Sequence, residues 1–223
     1  MKRVLKGLFL LTALIGFTLA APAQPAFKVK TVTGKELRFQ GTADGIVTSP
    51  YEGKVVFIEF WGTWCGPCLL SIPHHVALQE KYKDKLRIIA IETTPNVSNE
   101  ALRKFVENPA KEIDMSKVEW FLQNKANSPQ AQKYFQKPVA DLEAFIKSGK
   151  KINYDVISSR DGKNLINYIA KRADWQGSIP FLIIFRPDGS VSNILQGMIN
   201  DDVLQRAYNN AIKKRVNTPP QSK

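Results

Sequence analysis

Cys65 and Cys68 are the only cysteines in 223 residues, and they stand three apart. They close the segment Trp61-Gly62-Thr63-Trp64-Cys65-Gly66-Pro67-Cys68, which follows the apolar run Val55-Val56-Phe57-Ile58-Glu59-Phe60. The run reads as a buried strand and the residues after Cys68 as a helix. A strand, a Cys-x-x-Cys and a helix in that order put a dithiol at a helix N-terminus. Disulfides are exchanged by a thiolate attacking a sulfur, so one cysteine must ionise near neutral pH. Unpaired N–H groups in the first helical turn carry partial positive charge and favour that thiolate. Cys65, at the end of the loop, is expected to reach solvent and attack. Cys68, about one turn inside the helix and shielded, is expected to resolve the mixed disulfide. Pro67 lacks an N–H and suits the first turn, so it stiffens the loop at little cost.

Half of a zinc site is the competing use of such a pair. Structural zinc takes four ligands. The other soft candidates, His74 and His75, are adjacent on the following helix and point about 100° apart, so both cannot fold back onto the sulfurs. No metal and no bound cofactor are expected. Both histidines are expected on the helix surface.

The stretch from Phe60 to Cys68 resembles the active-site segment of the thioredoxin superfamily. Its Trp-x-Thr-Trp-Cys form is closest to the extracytoplasmic TlpA-like branch. Pro73, five residues after Cys68, matches the proline that kinks the superfamily's active-site helix. The resemblance implies an α/β fold, thioredoxin-like, with a central mixed sheet flanked by helices. It implies thiol–disulfide exchange on substrate proteins that carry cysteines or disulfides. Glu59, six residues before Cys65, takes the place of a buried acid that moves protons to and from Cys68. From the residues alone, Glu59 reads equally as a strand-edge carboxylate facing water. Burial favours the uncharged form of any carboxyl, which suits a general base. Pro180 opens the apolar run Phe181–Phe185 and takes the place of the superfamily's cis-proline. The plain alternative is a trans proline at a strand start. A cis bond would turn the Ile179 N–H and C=O toward an extended peptide. Trp64, Gly66, Pro67, Ile179, Pro180 and Gly197 are therefore the substrate-binding candidates, with Gly197 keeping the groove open beside Pro180.

The flanking sequence supplies the positioning elements. Phe27–Val32 alternates apolar and polar, Thr33-Gly34-Lys35 turns, and Leu37–Phe39 returns as the second arm of an N-terminal hairpin. Gly41 to Gly53 reads as a loop. Leu86–Ile91 is a second central strand. Residues 95 to about 137 read as a helical insertion bordering the groove or merely capping the domain. Ala101, Leu102, Phe105 and Val106 share one inward face there, and Ser116 to Glu119 form a capping box before Trp120. A third piece begins at Ser128-Pro129 with Ala131, Tyr134 and Phe135 inward, and Pro138 ends it. A helix with Val139, Leu142, Phe145 and Ile146 inward closes at Gly149, and Ile152–Ile157 is a strand. Ser158 to Gly162 is a turn ahead of a helix facing inward at Leu165 and Ile169. Arg186-Pro187-Asp188-Gly189 is a hairpin turn, and Asp201 or Asn200 caps a last helix with Val203, Leu204, Ala207, Tyr208, Ala211 and Ile212 inward.

Met1 to Lys6 is basic, Gly7 to about Ala20 is apolar, and small residues follow, as in a secretory signal peptide at 1–23. The apolar core is short for a membrane span, which needs about 20 residues, and an uncleaved anchor is the alternative. Export implies a compartment where disulfides persist, here read as a periplasm. The formal charge is +12, and +9 without Lys2, Arg3 and Lys6. The basic residues are interspersed with acids, and no nucleic-acid motif accompanies them. Residues 24–218 are long enough for one domain with a good core, with a loose tail at 219–223. Gly66-Pro67 is the dipeptide of reducing thioredoxins, so the resemblance points to a reductant of exported proteins. Recharging by a membrane electron donor and a role in cytochrome c maturation are implied. The alternatives are a disulfide isomerase or oxidase, or a thioredoxin-fold binding module without turnover.

Overall fold

Seven consecutive buried residues, Val55–Trp61 (β4), form the middle of the protein. The computed structural model describes residues 24–213; the signal peptide expected at 1–23 and the loose tail expected at 219–223 lie outside them. β5 (Leu86–Glu92) runs parallel to β4 on one side, and β6 (Asp155–Ile157) parallel to β5. On the other side β7 (Phe181–Phe185) is antiparallel to β4, and β8 (Val191–Gln196) antiparallel to β7. The sheet order is β6-β5-β4-β7-β8, a central mixed sheet as the sequence implied. β4 is apolar on both faces because both are covered. Alternate residues point to opposite faces. Val55, Phe57 and Trp61 join one core, while Val56, Ile58 and Phe60 join the other.

The first core lies under α1 (Gly66–Lys81), which packs on α4 (Met115–Lys125), α5 (Pro129–Ser148) and α7 (Asp201–Ile212). α2 (Asn99–Glu107) and the short α3 (Pro109–Glu112) lead into α4. The second core is closed by α6 (Ser159–Arg172) and an antiparallel sheet of β1 (Ala26–Lys30), β2 (Glu36–Gly41) and β3 (Ile46–Ser49). The expected hairpin is β1–β2. The stretch expected to be a loop contributes β3 as a third strand, held to β2 through Gly41↔Ile46 and Arg38↔Ser49.

Several boundaries differ from the sequence reading. Pro138 does not end a helix but lies buried inside α5, which is continuous over 20 residues. Pro138 removes one backbone donor, and burial of Phe135, Leu142 and Phe145 on either side of it outweighs that loss. α4 is capped by Asp114, which accepts from the Ser116 N–H at 3.0 Å, so the helix starts before the expected capping box. β6 begins only at Asp155, and Ser158 is the N-cap of α6 rather than part of a turn. Ala101, Tyr134 and Ile212, expected inward, are exposed; periodicity fixes a helix face only to about one residue at its edges. Gly149 ends α5 in the left-handed conformation, and Asn200 caps α7, as expected.

Leu142 of α5 is fully buried. Leu142→Ala is expected to cost about 2–5 kcal/mol of stability, read from the midpoint of urea unfolding. A loss under about 1 kcal/mol would show that α5 rests only loosely on the core.

Candidate active site

β4 runs out at Trp61, and the chain turns through residues 62–64 into α1. Cys65 is the N-cap of α1, in extended backbone conformation, and its Sγ accepts from the Cys68 N–H at 3.3 Å. A sulfur therefore takes the place that a serine or aspartate oxygen usually fills. Cys65 and Cys68 are joined as a disulfide. Pro67 occupies the first turn, where its missing N–H costs nothing, and Pro73 lies inside the helix. The expectation that Cys65 reaches solvent is corrected: it is 3 % exposed. The cause is α4. A Cβ on Gly66 would stand 2.6 Å from the Lys117 carbonyl oxygen and 2.8 Å from Phe121 Cβ. Glycine at 66 thus permits α4 to lie directly on the active-site turn.

The turn is held from below by Glu92, which the sequence reading passed over as the end of an apolar strand. Its carboxylate accepts from the Thr63 N–H at 2.9 Å and the Thr94 N–H at 2.8 Å. Glu92 is fully buried. Burial holds its proton above the usual carboxylate range, outweighing the backbone N–H groups that favour the charge. The signal available in sequence was one acid directly after Leu86–Ile91, at the strand end where a loop begins. Trp64 is pinned as well: its indole N–H donates to Thr94 Oγ1 at 2.6 Å, while the residue remains 54 % exposed.

Glu59 is buried in mid-strand, facing the α1 side between Phe57 and Trp61. His75 Nδ1 lies 3.2 Å from Glu59 Oε2 but too obliquely for a hydrogen bond. The His75 ring meets Tyr154 edge-on at 6.1 Å. His75 and Cys68 are seven residues apart on one helix face, about 10 Å along the axis. The placing of both histidines on the surface is corrected: His74 is 4 % and His75 1 % exposed. The sheet and α4, α5 and α7 cover the part of α1 that carries both histidines, and its exposed residues are Ala77, Glu80 and Lys81. Burial pushes His74 toward its neutral form, although Asp201 lies 2.7 Å from its Nδ1 and acts the other way.

The Ile179–Pro180 bond is cis. Ile179 makes no backbone hydrogen bond among the described residues, and Pro180 accepts one from the Gly197 N–H at 2.9 Å. Gly197 has a φ of +85°, and a Cβ there would meet open space. What position 197 requires of glycine is thus its backbone conformation. The structure brings Cys65, Gly66, Pro67, Trp64 and Ile179 together around one groove of about 720 Å³. Glu59, Pro180 and Gly197 are not among its lining residues. Lys117, Trp120 and Phe121 of α4 complete the lining.

The thioredoxin family model matches residues 44–110. The chain is 33 % identical over 84 residues to the thioredoxin-like protein YneN of Bacillus subtilis, which covers 37 % of this chain and 44 % of that protein. It is 31 % identical over 113 residues to the thiol-disulfide oxidoreductase ResA of Bacillus cereus, covering 45 % of this chain and 59 % of the relative. The chain thus spans about half the length of the curated relatives it matches. A thiol:disulfide interchange protein of the thioredoxin family from Chlorobium tepidum superposes with a TM-score of 0.48 at 20 % identity, covering 86 % of this chain and 97 % of that one.

Gly66→Ala is expected to push α4 off the turn and to destabilise by about 1–3 kcal/mol, seen in the melting midpoint and in Trp120 fluorescence. An unchanged midpoint with unchanged fluorescence would show that α4 does not rest on residue 66. The second expectation concerns Glu92, whose proton is held more tightly when folded than at its ordinary value of 4.5. As pH rises from about 4.5, the unfolded chain ionises this carboxyl first, so stability falls until the folded carboxyl has titrated too, and then levels. Urea midpoints across about pH 4–8 should show this fall in the wild type and lose it in Glu92→Gln. Equal slopes in both proteins would place the pH response elsewhere.

Proposed function

We propose that this chain belongs to the thioredoxin superfamily, a reading supported by its match over residues 44–110, and is a thiol–disulfide oxidoreductase acting on other proteins through Cys65 and Cys68. The observation that carries the reading is the sulfur of Cys65 at the N-cap of α1, accepting a backbone N–H and bonded to Cys68. Backbone N–H groups there stabilise a thiolate where a neutral thiol would gain little. In the reduced protein the Cys65 thiolate attacks a substrate disulfide, forming a mixed disulfide and releasing one substrate thiolate. Cys68, deprotonated, then attacks Cys65 Sγ and releases the second substrate sulfur. Two electrons pass to the substrate, and the chain is left with the Cys65–Cys68 disulfide. Glu59, buried on the same side of the sheet as α1, is the proposed acceptor of the Cys68 proton. Ile179 offers a backbone edge to an extended substrate segment beside Pro180.

The direction proposed is reduction of exported proteins, by way of a membrane electron donor. The lack of a histidine between the cysteines supports it. Export is supported by the basic-then-apolar segment at 1–20. The specific task proposed is keeping apocytochrome c cysteines reduced. Among the described residues, no helix is long and apolar enough to cross a membrane.

Cys68→Ser is expected to accumulate a mixed disulfide between Cys65 and substrate proteins, seen on non-reducing gels, while Cys65→Ser accumulates none. The reverse pattern would exchange the two roles. A redox titration against glutathione is expected to give a midpoint near −270 mV, about that of thioredoxin. A value above about −180 mV, typical of an isomerase, would overturn the reductant direction.

A further inference from the structure

The groove at the dithiol has two unlike walls. One is the loop ahead of Pro180, with the unpaired backbone of Ile179. The other is α4, which presents Lys117, Trp120 and Phe121. Trp120 is 57 % exposed, and Trp64 is 54 % exposed across the floor between the walls. The Trp64 indole is already fixed by its bond to Thr94, and α4 is fixed by its contact with Gly66. The Trp64 indole and the α4 backbone that carries Trp120 are thus held in place before anything binds, which lowers the entropy cost of using this surface. Two half-exposed tryptophans beside an exchange site are the kind of anchor that carries binding energy in recognition surfaces. Among the described residues lining the groove, Lys117 is the one charged side chain; its partner Asp114, 3.6 Å from the ammonium, does not line the groove. That charge selects against a cationic neighbour of the substrate cysteine.

We infer that α4 makes this groove a selective site for an extended substrate segment with a large apolar side chain two residues from its cysteine and no lysine or arginine there. The inference rests on the exchange reading of Cys65 and Cys68. The spacing follows from strand geometry. A segment paired to Ile179 with its sulfur directed at Cys65 sends the side chains two residues away to the same face, about 7 Å along. One of them meets the Trp64–Trp120 surface. The helical segment 115–125 is thereby a specificity element and more than a cap on the domain.

The test uses the reduced full chain and disulfide-linked homodimers of short synthetic peptides. These differ only in tryptophan, serine or lysine two residues from the cysteine. Either sulfur of such a dimer is the same target, so rates compare recognition alone. The tryptophan dimer is expected to be reduced with a kcat/KM about tenfold or more above the serine dimer, and the lysine dimer more slowly than the serine one. In Trp120→Ala the tryptophan-to-serine ratio should fall close to one, and in Trp120→Phe it should largely return. In Lys117→Glu the lysine dimer should overtake the serine dimer. The ratio within one protein sample does not depend on how much of that sample is folded. Equal rates for the tryptophan and serine dimers in the wild type, or a ratio that survives Trp120→Ala, would overturn the inference. If glutathione disulfide and all three dimers are left intact by the wild type, the exchange reading itself fails and the inference with it.

Discussion

Everything in this structure depends on holding the first turn of one helix still, with a sulfur as its cap. The favourable term is modest: an anion at a helix N-terminus gains about 0.3–1 kcal/mol, and up to ~2 kcal/mol where partly buried. It falls off within one turn, so the sulfur must stay within a few ångströms of the N–H groups. The surroundings of α1 serve that requirement. The sheet lies beneath it, α4, α5 and α7 lie around it, and Glu92 ties the preceding loop through two backbone N–H groups. Glu92 illustrates the cost. A fully buried carboxylate is unfavourable in itself, yet without an acceptor the N–H groups of Thr63 and Thr94 would be unpaired at the point where the loop must be rigid.

The same burial explains the polar groups on α1. The part of α1 that carries His74 and His75 is covered, so both rings lie inside the protein. His74 finds Asp201 at the start of α7, and so links the active-site helix to the last helix. His75 lies beside Glu59 with neither ring nitrogen hydrogen-bonded, a costly arrangement for a buried ring. Under the exchange reading, Glu59 has a second ionisable group within reach on the helix that carries both sulfurs.

What could be read in the sequence was local. β4, the dithiol, Pro73 and Pro180 carry their information in a few neighbouring residues, and each is where its segment implied. The histidines were misjudged because their surroundings come from helices more than 50 residues away in sequence, among them α5 and α7. Cys65 looked accessible for the same reason: α4 covers the turn from residues 115–125, and no pattern near Cys65 announces it. Pro138 was read as a stop because a proline is a strong local signal. The decisive fact was tertiary: Phe135 and Leu142 pack on the same core, and this holds α5 together across the lost hydrogen bond. β3 was lost in a stretch of glycine, serine and proline whose strand content depends on β2 beside it.

Gly66 changes what can be concluded about electron flow. In the sequence, glycine between the cysteines resembles the reducing members of the superfamily. In the structure, the same glycine is required for packing, since any Cβ there would collide with the backbone of α4 at Lys117. A residue fixed by sterics carries no information about redox potential. The proposed direction therefore rests on charge. No imidazole stands between the sulfurs to stabilise a thiolate. Lys117, the one charged residue lining the groove, has Asp114 3.6 Å from its ammonium to offset it. The helix N-terminus then remains as the main stabilising influence on the Cys65 thiolate, and its modest size leaves the reduced form less favoured than in a strong oxidant. A weakly stabilised thiolate gives up its electrons readily, which is what a reductant of other proteins requires.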